Sequence, residues 1–135
     1  MVSSADLSRM TKEELDALPY GAIRLSSYGT ILSYNATEGR LTGRVPERVL
    51  GRNFFLDVAP CTDVQEFHGR FRELVRGQSS LLHTFTFEFP FEPPVCVSIT
   101  FLRDRGDESV WVLVESANEV ASSDPLQLSP NEQSL

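Results

Sequence analysis

The sequence predicts an α+β domain: a five-stranded antiparallel sheet with helices packed mainly on one side. Two groups of strand-like stretches carry this reading, a pair near the N-terminus and a trio after residue 80. Between them the chain forms short helical stretches cut by glycine and proline. There is no internal repeat, and residues 1–120 leave room for one domain only.

Taken in order, TKEEL opens the structured part. Thr11 and Glu14 stand at capping-box spacing and predict a short helix over residues 12–17. GAIRLSSYGTILSYN then reads as a hairpin, two β-prone runs around Ser-Tyr-Gly. Gly39 and Gly43 interrupt NATEGRLTGR, which predicts broken helical turns there. Pro46 sits in the first turn of a helix that Gly51 stops. Asp63 and Glu66 repeat the capping signal before an amphipathic helix that ends at Gly77. Its buried stripe is Phe67, Phe71, Leu74 and Val75, spaced i, i+4, i+7 and i+8. In LLHTFTFEF, strict alternation puts Phe85, Phe87 and Phe89 on one face of a strand. Val95, Val97, Ile99 and Phe101 alternate in the next strand, and VWVLV is a short, fully apolar fifth. Residues 121–135 are polar and rich in serine and proline, and read as a disordered acidic tail.

Charge narrows the function. The net charge of −7 argues against a nucleic-acid binder, which needs a basic face. Four acids and no base lie in residues 115–135, so that stretch carries four of the seven net negative charges. No apolar run approaches the ~20 residues that span a bilayer. The N-terminus lacks the apolar middle of a secretory signal, which predicts a cytoplasmic protein with its two cysteines unpaired.

The candidate chemistry centres on NFFLDVAPCTD, where Cys61 follows a proline between an apolar run and a helix start. A lone cysteine is most often a small buried hydrophobe. A metal site would need a His/Cys cluster at ligand spacing, and His68 and His83 are too few and too scattered. A catalytic thiol would need an oriented histidine. His68 reads instead as a surface position on its helix, and Cys96 as sheet packing. A thiol ahead of a helix N-terminus would feel the positive end of the dipole, which favours thiolate and hence acylation. A second stretch, YNATEGRLTGR, puts Tyr34, Glu38 and Thr42 four residues apart, on one side of a helical turn.

Together, YNATEGRLTGR and NFFLDVAPCTD, at their mutual spacing, resemble the photoactive yellow proteins, small bacterial blue-light receptors of the PAS fold. The resemblance runs from about Thr11 to Val114. It implies a 4-hydroxycinnamoyl (p-coumaroyl) group, from p-coumaric acid, held as a thioester on Cys61. It also implies that Tyr34 and a protonated Glu38 donate to the phenolate, and that Thr42 supports the tyrosine. Arg44 matches the arginine that shields the pocket, and Phe54 and Phe87 match its aromatic walls. Phe91, in the loop Pro90 to Pro94, lies nearest a methionine that speeds dark recovery in other members, which implies slow recovery here. The implied photocycle is trans–cis isomerisation, proton transfer from Glu38 and partial unfolding, read by a downstream signalling protein that the resemblance does not name. No substrate is turned over in that scheme, so the chain does not read as an enzyme. The competing expectations are a light-insensitive PAS sensory or interaction module with a structural Cys61, and a cysteine-dependent acyltransferase.

Overall fold

Every residue from Val110 to Val114 is buried, because both faces of the sheet are covered. Val110, Val112 and Val114 join one apolar core, whereas Trp111 and Leu113 join a second on the opposite face. A fully apolar strand is the expected signature of such two-sided burial. The computed structural model describes residues 3–77, 82–90, 93–104 and 106–116.

Two helices come first, α1 (Ser4–Arg9) and α2 (Lys12–Asp16), each opened by a reciprocal capping box. The hairpin β1 (Gly21–Leu25) and β2 (Ile31–Tyr34) follows, then α3 (Ala36–Thr42) and α4 (Pro46–Val49). A wide π-type turn spans Phe54–Val58, a tight turn Pro60–Thr62, and a second π-type turn, Gln65–Gly69, runs into α5 (Arg70–Val75). The chain closes with β3 (Leu82–Phe89), β4 (Val95–Asp104) and β5 (Ser109–Ser116). All neighbours are antiparallel in the order β2-β1-β5-β4-β3, so the last strand inserts between the two groups.

The larger core is aromatic and lies on the face that carries the segment from β2 to α5. Phe67 is its hub. Its ring meets those of Phe54, Phe55, Phe85, Phe87 and Phe101 at centroid distances of 5.2–6.0 Å. Most of these are edge-to-face contacts, which add to the burial. On the other face, α1 docks through Leu7 and through a polar chain: Trp111 Nε1 donates to Ser8 Oγ (3.1 Å), and Ser8 donates to Asp104 (2.7 Å). The Arg24 guanidinium lies over the Trp111 ring and pairs with Asp104 and Asp107.

The strands and the capped helix at Thr11 stand where the sequence places them, and helices do gather mainly on the aromatic side. The structure adds α1, and it packs the N-terminal helices on the opposite face. The expected cap at Asp63 is absent. The second π-type turn starts from Val64 with no side-chain cap, and Asp63 instead accepts from His68 Nδ1 at 2.7 Å. His68 is not the surface residue expected, because its ring stacks on Phe55 at 3.8 Å with planes 3° apart. The tail and Phe91 lie outside the described residues.

Candidate functional site

Asn35 organises the site from behind. It caps α3, and its buried carboxamide makes four hydrogen bonds. Oδ1 accepts from the backbone N–H of Glu38 and of Ala22, both at 3.0 Å. Nδ2 donates to the carbonyls of Leu15 (2.8 Å) and Tyr20 (3.1 Å). One side chain thus ties α2, β1 and the first turn of α3 together. The signal was present in the sequence, since Asn35 and Glu38 have the spacing of an N-cap and its third helical residue. Asn35→Ala will leave buried backbone groups without partners and cost about 3 kcal/mol, read as a shift in urea unfolding.

With α3 so placed, Glu38 points inward and is 2% exposed. Its Oε1 has no hydrogen-bond partner among the described residues. Burial pushes its pKa up to about 7 from an ordinary 4.5, because the charged form loses its water. Tyr34, at the end of β2, brings its hydroxyl within 2.9 Å of Thr42 Oγ1. Thr42 spends its one hydrogen on the Glu38 carbonyl at 2.9 Å, so the tyrosine is the donor in this pair. Burial, and then the Glu38 carboxyl, push the Tyr34 pKa up to about 12.

Arg44 reaches from the loop after α3 to donate to the Val58 carbonyl at 2.6 Å. Gly39 allows that loop to fold back, since a side chain there would meet the Arg44 carbonyl at 2.8 Å. Phe54 and Cys61 come from the two turns opposite. These residues enclose a cavity of about 240 Å³, with Tyr34, Glu38, Thr42, Arg44, Phe54 and Cys61 all on its wall. Five of the positions singled out around Cys61 therefore meet it at one cavity.

One expectation needs correction, and one residue stands back from the cavity. Phe87 is not on this wall but packs edge-on between Phe67 and Phe89, each 5.2 Å away, and Phe89 at the end of β3 lines it. Alternation marks the face these rings share, not which of them stands at the cavity's depth. The thiol is not activated by a helix start either. Cys61 sits inside a three-residue turn, the next helical turn begins at Gln65, and burial pushes the thiol pKa up rather than down. The sequence reading also missed Val58, Ala59, Pro60, Phe89 and Pro90 on the wall. A smaller cleft of about 110 Å³ lies behind Glu38, between Leu41 of α3 and Val95, Val97 and Val114 of the sheet.

The PAS fold family matches residues 9–117. The photoactive yellow protein of Rhodothalassium salexigens is 43% identical over 110 residues, 81% of this chain and 87% of that protein. That of Halochromatium salexigens is 40% identical over the same length. The photoactive yellow protein domain of the sensor histidine kinase Ppr from Rhodospirillum centenum superposes with a TM-score of 0.77 at 43% identity, covering 83% of this chain and 98% of that one. Fold and sequence agree: the chain belongs to the photoactive yellow proteins, on a PAS fold.

Proposed function

We propose that this chain is a blue-light photoreceptor carrying a p-coumaroyl group as a thioester on Cys61, and that it signals by partial unfolding. The observation that supports it best is the unpartnered, buried Glu38 carboxyl on the same cavity as the Cys61 thiol and the Tyr34 hydroxyl. A buried polar atom with nothing to bond calls for a partner that the protein itself does not supply. The cavity also fits the group. At about 240 Å³ it falls below the roughly 300–1,000 Å³ of pockets for drug-sized ligands, which suits a one-ring acyl group.

In this reading Cys61 Sγ anchors the acyl end, while Tyr34 and Glu38 hold the phenolic end through charge-assisted hydrogen bonds. Thr42 steadies Tyr34, Phe54 and Phe89 wall the ring, and Arg44 closes the mouth by its bond to Val58. Phe87 backs the wall through Phe89, and Phe91 remains a proposed contact. When bound, the group supplies blue-light absorption and a trans–cis isomerisation. Glu38 keeps its proton in the dark and releases it into the cavity after light. The carboxylate left behind is buried, which costs several kcal/mol. Loosening α1 and α2 relieves that cost, and Asn35 is the connection, since it bonds both Glu38 and the end of α2. The output passes to a further signalling protein or domain, and the kinase setting of the Rhodospirillum centenum relative supports this. No substrate turnover is assigned.

Incubation of the ligand-free protein with activated p-coumaric acid tests the reading. One acyl addition and a yellow product are expected, with the rate rising with pH because the thiol is held protonated by burial. Cys96→Ser should load as wild type does, whereas Cys61→Ser should stay colourless. A yellow Cys61→Ser variant overturns the assignment. Wild-type protein that takes up nothing favours a light-insensitive PAS module, and turnover of the acyl donor favours an acyltransferase.

A further inference from the structure

We propose that Gly21 is a positioning residue: the side chain it lacks is the socket in which Glu38 keeps its carboxyl group. A glycine inside a strand is unfavourable unless something approaches the backbone closely. Gly21 opens β1, pairs with Val114 and is buried. A methyl group built on it would overlap Glu38 Oε1, stand 3.0 Å from Cδ and 3.2 Å from Cβ, all of the same side chain. The three nearest atoms thus all belong to Glu38, its acidic end above all. Oε1 is the very atom that is buried and without a partner. Gly21 and the unpartnered oxygen are two sides of one arrangement: the strand withholds a side chain, and the carboxyl occupies the vacated place, between the main cavity and the small cleft behind it.

The role follows from what a methyl would do. At Gly21 it would push the carboxyl off the sheet, toward the main cavity, and the acid would lose the burial that keeps it protonated. The ionisable groups sharing that cavity are Tyr34 from β2, Arg44 from the loop after α3 and Cys61 from the turn opposite. The cleft behind adds the apolar Leu41, Phe89, Val95, Val97 and Val114, with the hydroxyl of Thr42. Burial by the strand thus sets the proton affinity of Glu38, and Gly21 sets the burial. The inference deepens the proposed function, since it rests on Glu38 as the proton donor, but it concerns the ligand-free chain and is tested there.

The experiment is a pH titration of the Glu38 side-chain carboxyl by carbon-13 NMR in ligand-free wild type and Gly21→Ala, assigned with Glu38→Gln. Gly21→Ala should lower the midpoint by at least one pH unit, about a tenfold loss of proton affinity. A folded Gly21→Ala protein with an unchanged Glu38 midpoint overturns the proposal. Should Gly21→Ala unfold the protein, the same substitution in a Glu38→Ala background decides. If the glycine acts through Glu38, the added methyl will be tolerated there. If it is equally damaging without the acid, Gly21 serves the backbone and the proposal fails. Neither outcome depends on p-coumaroyl loading, so failure of the photoreceptor reading would be seen separately, in the acylation of Cys61.

Discussion

Glu38→Gln will make the ligand-free protein more stable than wild type by about 3 kcal/mol at pH 8, and leave the two nearly equal at pH 4. The wild-type acid has a folded-state pKa of about 7 against an ordinary 4.5, from burial alone. Between those values the folded state binds the proton and the unfolded state does not, so stability falls as pH rises through the window. The gap corresponds to about 3 kcal/mol at 1.36 kcal/mol per pH unit. Below pH 4.5 both states are protonated and the favourable term is fully present; above pH 7 it is lost. Glutamine keeps the shape and cannot ionise, so its stability should stay flat across the window. Denaturant unfolding at pH 4, 6 and 8 checks this. If the two proteins keep a constant difference at all three values, Glu38 does not carry the proton in question.

The second large effect is Phe67→Ala, expected to cost about 4 kcal/mol, in the usual range for a buried phenylalanine. Phe67 is fully buried and touches rings from the first π-type turn, β3 and β4 at once. Its removal opens a cavity that those elements cannot all close together. At about 4–8 °C per kcal/mol for a domain near 100 residues, the melting temperature should drop by roughly 20 °C. The pocket should suffer too, because Phe54 lies between Phe67 and the cavity. Thermal unfolding beside Phe67→Leu, which keeps most of the volume, checks the first point. A drop of under 5 °C would show that the aromatic hub repacks freely.

Residue pattern alone reveals what repeats and hides what happens once. The alternation of β4 and the five-residue run of β5 are periodic, and periodicity survives without neighbours to explain it. The capping box at Thr11 is local and equally legible. Its twin at Ser3 was missed because aspartate, not glutamate, closes it. The π-type turns have no comparable signature, since an extra residue in a turn is fixed by what packs against it. For that reason the dipole argument for Cys61 failed: the sequence shows a helix downstream but not where its first turn begins. Tyr34, Glu38 and Thr42 were legible because they share one turn of helix and its entry. Phe89 and Gly21 were not. Their roles depend on depth and on empty space, which no linear spacing records.

Trp111 is the one tryptophan of the chain, and its indole N–H is bonded to Ser8 of α1 on the face of the sheet away from Cys61. The protein therefore holds its own optical probe at the joint between the N-terminal helix and the sheet. Detaching α1 would remove the hydroxyl partner and admit water to the indole, altering its emission with no label attached. A chromophore on Cys61 would report events on one face by colour, while the indole reports docking on the other by fluorescence. Recorded on one sample after a single flash, the two signals would time how long a disturbance takes to cross the sheet.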